Sequence, residues 1–293
     1  MSPACPACGH AGCRTVAYAD GEICLCPDCR LQWSRVAGRG DCFVPTDNLR
    51  YLDPDSLGNA ASYPPYTRFF QRLATMAQAS GPLRILDIGS GGGGFVAECL
   101  RRGHEARGVE ADESLRSMQP PGVLERVRFS RVEDVDDLGG PYHCITFWDS
   151  FEHMEGAFAL LGRLAPALEP GGVFYLRVNN SRETFNFLSL AMLGLCPPVG
   201  RRLLRGCFNL PHHAWNFSRR AMELLLNRHG FRVLSASFDE TPASRLTASP
   251  AFALAIRAVY ALNALLGTGK VGNYFVVPAE ALPEVLRRAT TNS

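Results

Sequence analysis

Residues 85–95 read Ile-Leu-Asp-Ile-Gly-Ser-Gly-Gly-Gly-Gly-Phe, and they constrain the chain more than any other stretch. A β-branched and leucine run breaks into glycine and resumes as Phe95-Val96-Ala97-Glu98-Cys99-Leu100, the pattern of strand, tight turn and helix. Backbone without Cβ atoms lets a ligand come close, and the N–H groups of a helix N-terminus favour anionic or electron-rich groups. A glycine turn alone is weak evidence, because many α/β proteins use glycine only to pack a helix on a strand. Here the next unit adds the rest: residues 103–110 form a second short strand ending on an acid, Glu110, about 20 residues beyond the turn, where such folds hold ribose hydroxyls. Asp87 and Glu110 then bracket a nucleotide-like ligand.

The alternation continues past Glu110. A short helix near residues 112–118, a strand at Val127-Arg128-Phe129, a loop over 131–137 and a strand at Cys144-Ile145-Thr146-Phe147-Trp148 predict a parallel sheet with right-handed crossovers. The turn lacks the Lys-Ser/Thr ending of an NTPase phosphate loop, which leaves nicotinamide dehydrogenases as the main competitor.

With Asp87, Gly89, Ser90, Gly91 and Gly93 in this arrangement, the chain resembles the class I S-adenosylmethionine-dependent methyltransferases, whose first motif is an acid followed by Gly-x-Gly-x-Gly. Two later pieces carry the same resemblance. Trp148-Asp149-Ser150-Phe151-Glu152-His153 matches the Glu-His pair of methyltransferases similar to those of ubiquinone biosynthesis, and Leu168-Glu169-Pro170-Gly171-Gly172 matches a Leu-x-Pro-Gly-Gly turn into a buried fifth strand. Tyr142-His143 departs from the Phe-Asp usual before the fourth strand, which bears on local packing. The resemblance covers about residues 64–240. It implies a Rossmann-like α/β sheet of seven strands with helices on both faces, and S-adenosylmethionine as cofactor. It also implies that Asp149 lies beside the methionine part and that Val132 and Glu133 edge the adenine; the alternative for the last two is a solvated acidic loop. His153 is then a candidate base or acceptor ligand, against the simpler role of a helix-start cap. His212 or His213, in the loop ahead of the last helix, would reach the acceptor, and a histidine near neutral pKa suits removal of a hydroxyl proton.

The N-terminus reads differently. Cys5-Pro6-Ala7-Cys8 and Cys26-Pro27-Asp28-Cys29 are two Cys-x2-Cys pairs with 17 residues between them, a spacing that lets four thiolates converge on one structural Zn²⁺. His10, Cys13 and Cys24 are nearby alternatives that this arrangement does not need. We expect a small zinc ribbon over 1–45, a linker and approach helix over 46–81, and the catalytic domain over 82–293. That domain would carry helical cap inserts at about 182–215 and 243–268. Residues 182–220 hold six Arg against one Glu, so the first insert would receive an apolar or anionic acceptor or rest peripherally on a membrane surface.

Composition narrows the partners. A net charge of +2, and five Arg against five Asp and Glu within residues 1–50, argue against phosphate contact by the ribbon. The Asn/Asp-Pro-Pro-Tyr sequence of amino methyltransferases is also missing after the fourth strand. An RNA methyltransferase gripping its substrate with the ribbon, or a non-catalytic cofactor-binding scaffold, are therefore the alternatives to methylation of a hydroxyl or carbon on a small molecule. No basic leader followed by an apolar core opens the chain, no apolar run has bilayer length, and the 11 cysteines are spaced for metal rather than disulfides, so a cytoplasmic protein is expected. Oligomeric state leaves no mark in the sequence.

Overall fold

The computed structural model describes residues 2–36, 63–77, 81–243 and 249–283. Two sheets organise them. The larger has seven strands in the order β10-β11-β8-β7-β4-β5-β6. These are β4 (Arg84–Ile88), β5 (Glu105–Glu110), β6 (Val127–Phe129), β7 (Tyr142–Trp148), β8 (Leu168–Asn179), β10 (Phe231–Asp239) and β11 (Val271–Pro278). From β6 to β8 every pairing is parallel, while β11 runs antiparallel to both β8 and β10. The chain leaves β4 towards β5 and returns on its other side as β7, so the topological switch lies at the carboxyl end of β4, where open sheets of this type bind ligands.

Successive residues of the central strands alternate between two cores, as a sheet covered on both faces requires. On one face, Phe69, Phe70 and Leu73 of α1 (Pro64–Ala77) and Phe95, Val96 and Cys99 of α2 (Gly94–Arg101) pack on Ile85, Cys144, Val173 and Tyr175. On the other, Leu86, Ile145, Phe147, Phe174 and Leu176 meet Leu160, Leu161 and Leu164 of α3 (Ala157–Leu164) and Met222 and Leu225 of α6 (Arg219–Arg228). Ser218 caps α6 by accepting the Ala221 N–H at 3.0 Å. Helices α4 (Thr184–Leu195), α5 (Pro197–Phe208) and α7 (Pro250–Leu265) come from the segments expected as inserts, and none of the described helices is long and apolar enough to cross a membrane.

The second sheet has four strands: β1 (Arg14–Tyr18), β2 (Gly21–Leu25), β3 (Gln32–Arg35) and β9 (Trp215–Asn216). The expected boundary at residue 45, the linker as far as residue 62 and residues 244–248 of the second insert lie outside the described residues. The described part of the ribbon is not closed on itself. Its edge strand β9 comes from about 180 residues later in the chain, in a stretch that reads in sequence only as the approach to α6. Its apolar residues are also shared: Val16, Ile23 and Leu25 pack on Leu193, Leu204 and Phe208 of α4 and α5, whereas Leu31 and Trp33 join the core containing Phe158 and Phe217. A module this small buries too little surface alone, and here the insert covers it.

Candidate active site

At the carboxyl end of β4 the chain turns through Gly89, Gly91 and Gly93 at φ +72°, +55° and +75°, in the left-handed region where a Cβ is strained. The close approach is real at two of them. A Cβ on Gly89 would stand 2.6 Å from that of Ser150, and one on Gly93 would stand 2.2 Å from Gln119 Oε1. Glu110, at the end of β5, is buried and braces the turn: Oε2 accepts the Gly91 N–H at 2.6 Å and Oε1 the Asp112 N–H at 2.8 Å. Each oxygen keeps a second lone pair. Ser90 Oγ is buried with no hydrogen-bond partner among the described residues. A glycine cradle, an unpartnered hydroxyl and a carboxylate at the next strand end fit the nucleoside and amino-acid parts of S-adenosylmethionine.

Asp87 lies beneath the turn, where burial pushes its carboxyl up to about 8 although Thr146 Oγ1 donates to it at 2.7 Å. Its bond to Thr146 ties the end of β4 to β7 beneath the turn. Val132 is buried in the core with Leu86, Ile88 and Val109, and Glu133 is exposed, near Arg131 at 3.8 Å. Arg163 donates to both backbone carbonyls of this pair, which fixes their loop.

The carboxyl end of β7 gathers the other predicted residues. Asp149 has φ +53° and forms an ion pair with Arg177 of β8. The turn Phe151–His153 follows, and Glu152, His153 and His213 each place one potential ligand atom within 4.8 Å of the others. Burial, and then the nearby Asp149 charge, push the Glu152 carboxyl up to about 8, so it holds its proton at neutral pH. The two imidazoles are perpendicular, with centroids 4.6 Å apart.

The three histidines are not equivalent. His153 Nδ1 lies 3.1 Å from the His212 carbonyl oxygen, and because a carbonyl only accepts, Nδ1 carries the hydrogen and Nε2 the lone pair. His213 is buried, with Asn179 Nδ2 3.1 Å from its Nδ1 and Asn209 Nδ2 3.2 Å from its Nε2. An imidazole accepts at one nitrogen at most, so one amide donates to the lone pair while the other must be turned to offer its oxygen to the ring N–H; with that turn both nitrogens are engaged. The His212 imidazole lies towards the N-terminal sheet: Asp20 is held below its usual range by its bond to Arg205, with His212 adding to that effect. The resemblance offers His153 from its Glu-His pair and His212 or His213 from the loop ahead of the last helix as candidates; their different partners in the fold separate them.

The N-terminal sheet holds this loop directly. Ser34 donates its N–H to the Ala214 carbonyl at 3.0 Å and its Oγ–H to the His213 carbonyl at 2.8 Å, while the Ala214 N–H donates to the Glu152 carbonyl at 2.8 Å. Gln32 bridges Asn186 at 3.1 Å and Asn216 at 3.0 Å. Cys5, Cys8, Cys26 and Cys29 have sulfur atoms all within 4.8 Å, with Cys5–Cys29 and Cys8–Cys26 both at 3.5 Å. A tetrahedron with bonds of about 2.3 Å has edges of roughly 3.8 Å, so this donor set fits a four-coordinate zinc. Cys24 is turned away, to Thr15 Oγ1 at 3.9 Å, whereas Cys13, which meets the His10 carbonyl at 3.6 Å, lies beside the four, where burial and then the neighbouring Cys26 push its thiol up.

A family model described as a methyltransferase domain matches residues 60–236, more than half of the 293 residues. The chain belongs to this methyltransferase family. Among curated relatives, a ubiquinone biosynthesis O-methyltransferase of Bordetella avium (strain 197N) is 28% identical over 172 residues, covering 56% of this chain and 68% of that one. One of Mesorhizobium japonicum is 30% identical over 131 residues, covering 43% and 51%. The chain thus spans just over two thirds of the length of the first relative and about half of the second. A solved structure described as a SAM dependent methyltransferase from Archaeoglobus fulgidus aligns with TM-score 0.48 and 19% identity over 72% of this chain and 91% of that one.

Sequence reasoning did not select Arg177, Trp148, Gln119 or the asparagines around His213 for this methyltransferase site. Arg177 had a signal, since it is a lone charge in the apolar strand run 173–178. The asparagines and Gln119 carry none, because their roles depend on partners far along the chain.

Proposed function

We propose that this methyltransferase uses S-adenosylmethionine to methylate a small molecule, with the glycine turn, Ser90 and Glu110 holding the cofactor and His153 acting as base. The observation that carries the cofactor reading is the left-handed glycine turn at Gly89–Gly93 with Glu110 fixed beside it and Ser90 Oγ left without a partner among the described residues. When bound, the cofactor supplies an electrophilic methyl group on its sulfonium. The chain must then align the acceptor and remove its proton.

His153 suits the second task. Its Nδ1–H is committed to the His212 carbonyl, so Nε2 is the atom that takes a proton, and the same carbonyl stabilises the imidazolium that results. His213, held through both nitrogens, packs against the His153 ring and positions it. Glu152 stays protonated beside them and adds no charge that would repel an anionic acceptor oxygen. The two relatives above are O-methyltransferases, which supports a hydroxyl rather than a carbon as the acceptor atom. The four cysteines would hold a structural zinc that orders the sheet against the His213 loop.

Calorimetric titration with S-adenosylhomocysteine tests this reading. Wild type should bind it, and Glu110→Ala should weaken binding by about 1.5 to 3 kcal/mol, roughly ten- to a hundredfold, through loss of a charged hydrogen-bonding group. Absence of binding by the folded wild type would refute the cofactor assignment.

A further inference from the structure

Arg177 is the most deeply buried charge in the described cleft, with its side chain only 1% exposed. Its Nη1 is engaged by Asp149, but Nε and Nη2 have no hydrogen-bond partner among the described residues. That vacant edge is the one through which a guanidinium takes a carboxylate with two parallel hydrogen bonds. Leaving two N–H groups of a cation buried and unmatched is expensive, and such groups in folded proteins call for an explanation.

A second unmatched donor lies alongside. Trp148 is the registered neighbour of Arg177 across the β7–β8 pairing, and its indole Nε1 is likewise buried without a partner among the described residues. The Trp148 ring is flanked by Tyr66 and Tyr175, each with its centroid at 4.8 Å, and by Phe95 at 4.9 Å. The guanidinium lies just under the cleft floor, because the Asp149 side chain that it grips is half exposed. The ion pair already neutralises Arg177, so the vacancy is one of directed donors rather than of bulk charge. Water-filled positive patches attract any anion; a rigid fork beside an indole N–H selects a planar acceptor with two oxygens.

We infer that the Nε–Nη2 edge of Arg177, helped by the indole N–H of Trp148, receives a carboxylate of a ligand bound in the cleft. This deepens the function proposed above and rests on the cleft being the methyl-transfer site. Two sources share the chemistry: the amino-acid end of the cofactor, and a carboxylate on the acceptor. No bond is made or broken by these residues, so they are positioning and specificity residues.

The experiment uses the full chain and two pairs of probes, titrated into wild type and Arg177→Lys. S-adenosylhomocysteine and 5′-methylthioadenosine differ by the amino-acid end. Benzoate and benzamide, added to protein saturated with S-adenosylhomocysteine, are an anionic and a neutral planar pair. Lysine keeps the charge but loses the fork, so the carboxylate that belongs here should weaken by about tenfold or more while its neutral counterpart stays within about twofold. A drop for S-adenosylhomocysteine alone assigns the site to the cofactor end, and a drop for benzoate alone assigns it to the acceptor. Trp148→Phe should weaken the same ligand by about two- to tenfold. If neither carboxylate loses affinity in Arg177→Lys, the inference is overturned.

Should Arg177→Lys fail to fold, Arg177→Gln serves, since water reaches the half-exposed Asp149 it would leave behind. The wild-type preference for each carboxylate over its neutral partner needs no variant at all: no preference in either pair also overturns the inference. Failure of the cofactor reading looks different. A wild type that binds neither nucleoside probe would refute that reading, and the benzoate and benzamide arm, run without cofactor, would still decide the role of Arg177.

Discussion

The two ends of the cleft are built in opposite ways. At the cofactor end, strand, turn and helix follow one another within about 20 residues, and Glu110 braces the Gly91 N–H from the next strand. At the proposed acceptor end, the loop that carries His213 is held on one side by Ser34 and on the other by Glu152, residues from segments that meet only in the folded chain. A locally encoded site can form whenever its own strands do. On the proposed reading the other depends on the N-terminal sheet, which a zinc on its four cysteines would order, and this difference orders the expected effects of perturbation.

Metal removal should have the largest effect, because a structural zinc site contributes on the order of 10 kcal/mol to the module it organises. Chelation, or Cys26→Ser, should abolish tightly held zinc and release the Ser34 contacts, collapsing methyl transfer while S-adenosylhomocysteine affinity stays within a few-fold. Metal analysis and titration on the same sample check both halves. If cofactor binding disappears with the metal, the two ends are one cooperative unit and the contrast fails.

His153→Ala comes next. Loss of a general base typically lowers turnover about 10²- to 10⁴-fold, with cofactor affinity unchanged, and a pH–rate profile should lose its acidic limb. His213→Ala should act mainly on acceptor KM, since both nitrogens of that ring are already engaged. Equal losses in kcat for the two variants would mean that proton removal is shared.

Each end also hides a carboxyl whose pKa is raised to about 8, Asp87 under the turn and Glu152 beside the histidines. The folded protein keeps protons there that the unfolded chain releases near pH 4, so these groups make stability fall as pH rises from about 4.5 to 8. Below that window the effect vanishes, and above it the loss is complete. The slope for one group is on the order of 1 kcal/mol per pH unit. Denaturation midpoints of Glu152→Gln and Asp87→Asn between pH 5 and 8 should each be flatter than wild type. A variant with the wild-type slope would show that its carboxyl is already ionised in the native state.

What could be read in the sequence follows the same division. The glycine turn, the strand that ends at Glu110 and the alternation of strand and helix around them were legible because the information lies within a few residues and repeats the periods of strand and helix. The Cys-x2-Cys spacing was equally local. By contrast, Trp215–Asn216 is too short to show a period, and nothing near it says that it closes a sheet begun at Arg14. Gln32, Asn186 and Asn216 form a buried polar bridge whose members look like ordinary surface residues until they are placed together. Arg177 is intermediate: a charge inside a strand buried on both faces is visible, but its meaning depends on Trp148 and Asp149 from the neighbouring strand.

The smallest perturbation gives the finest test of how the two ends communicate. Ser34→Ala removes one hydroxyl, and with it the bond to the His213 carbonyl, while the backbone N–H of residue 34 still donates to Ala214. A neutral hydrogen bond of this kind contributes about 0.5 to 1.5 kcal/mol, so the thermal midpoint should fall by only a few degrees. Cofactor affinity should not move. Turnover should fall less than about tenfold, because the loop keeps its second anchor at Glu152 and His153 keeps its own bond to the His212 carbonyl. If Ser34→Ala instead slows the enzyme as much as His153→Ala does, the position of the loop, set from the N-terminal sheet, governs the reaction more than the basicity of the imidazole it supports.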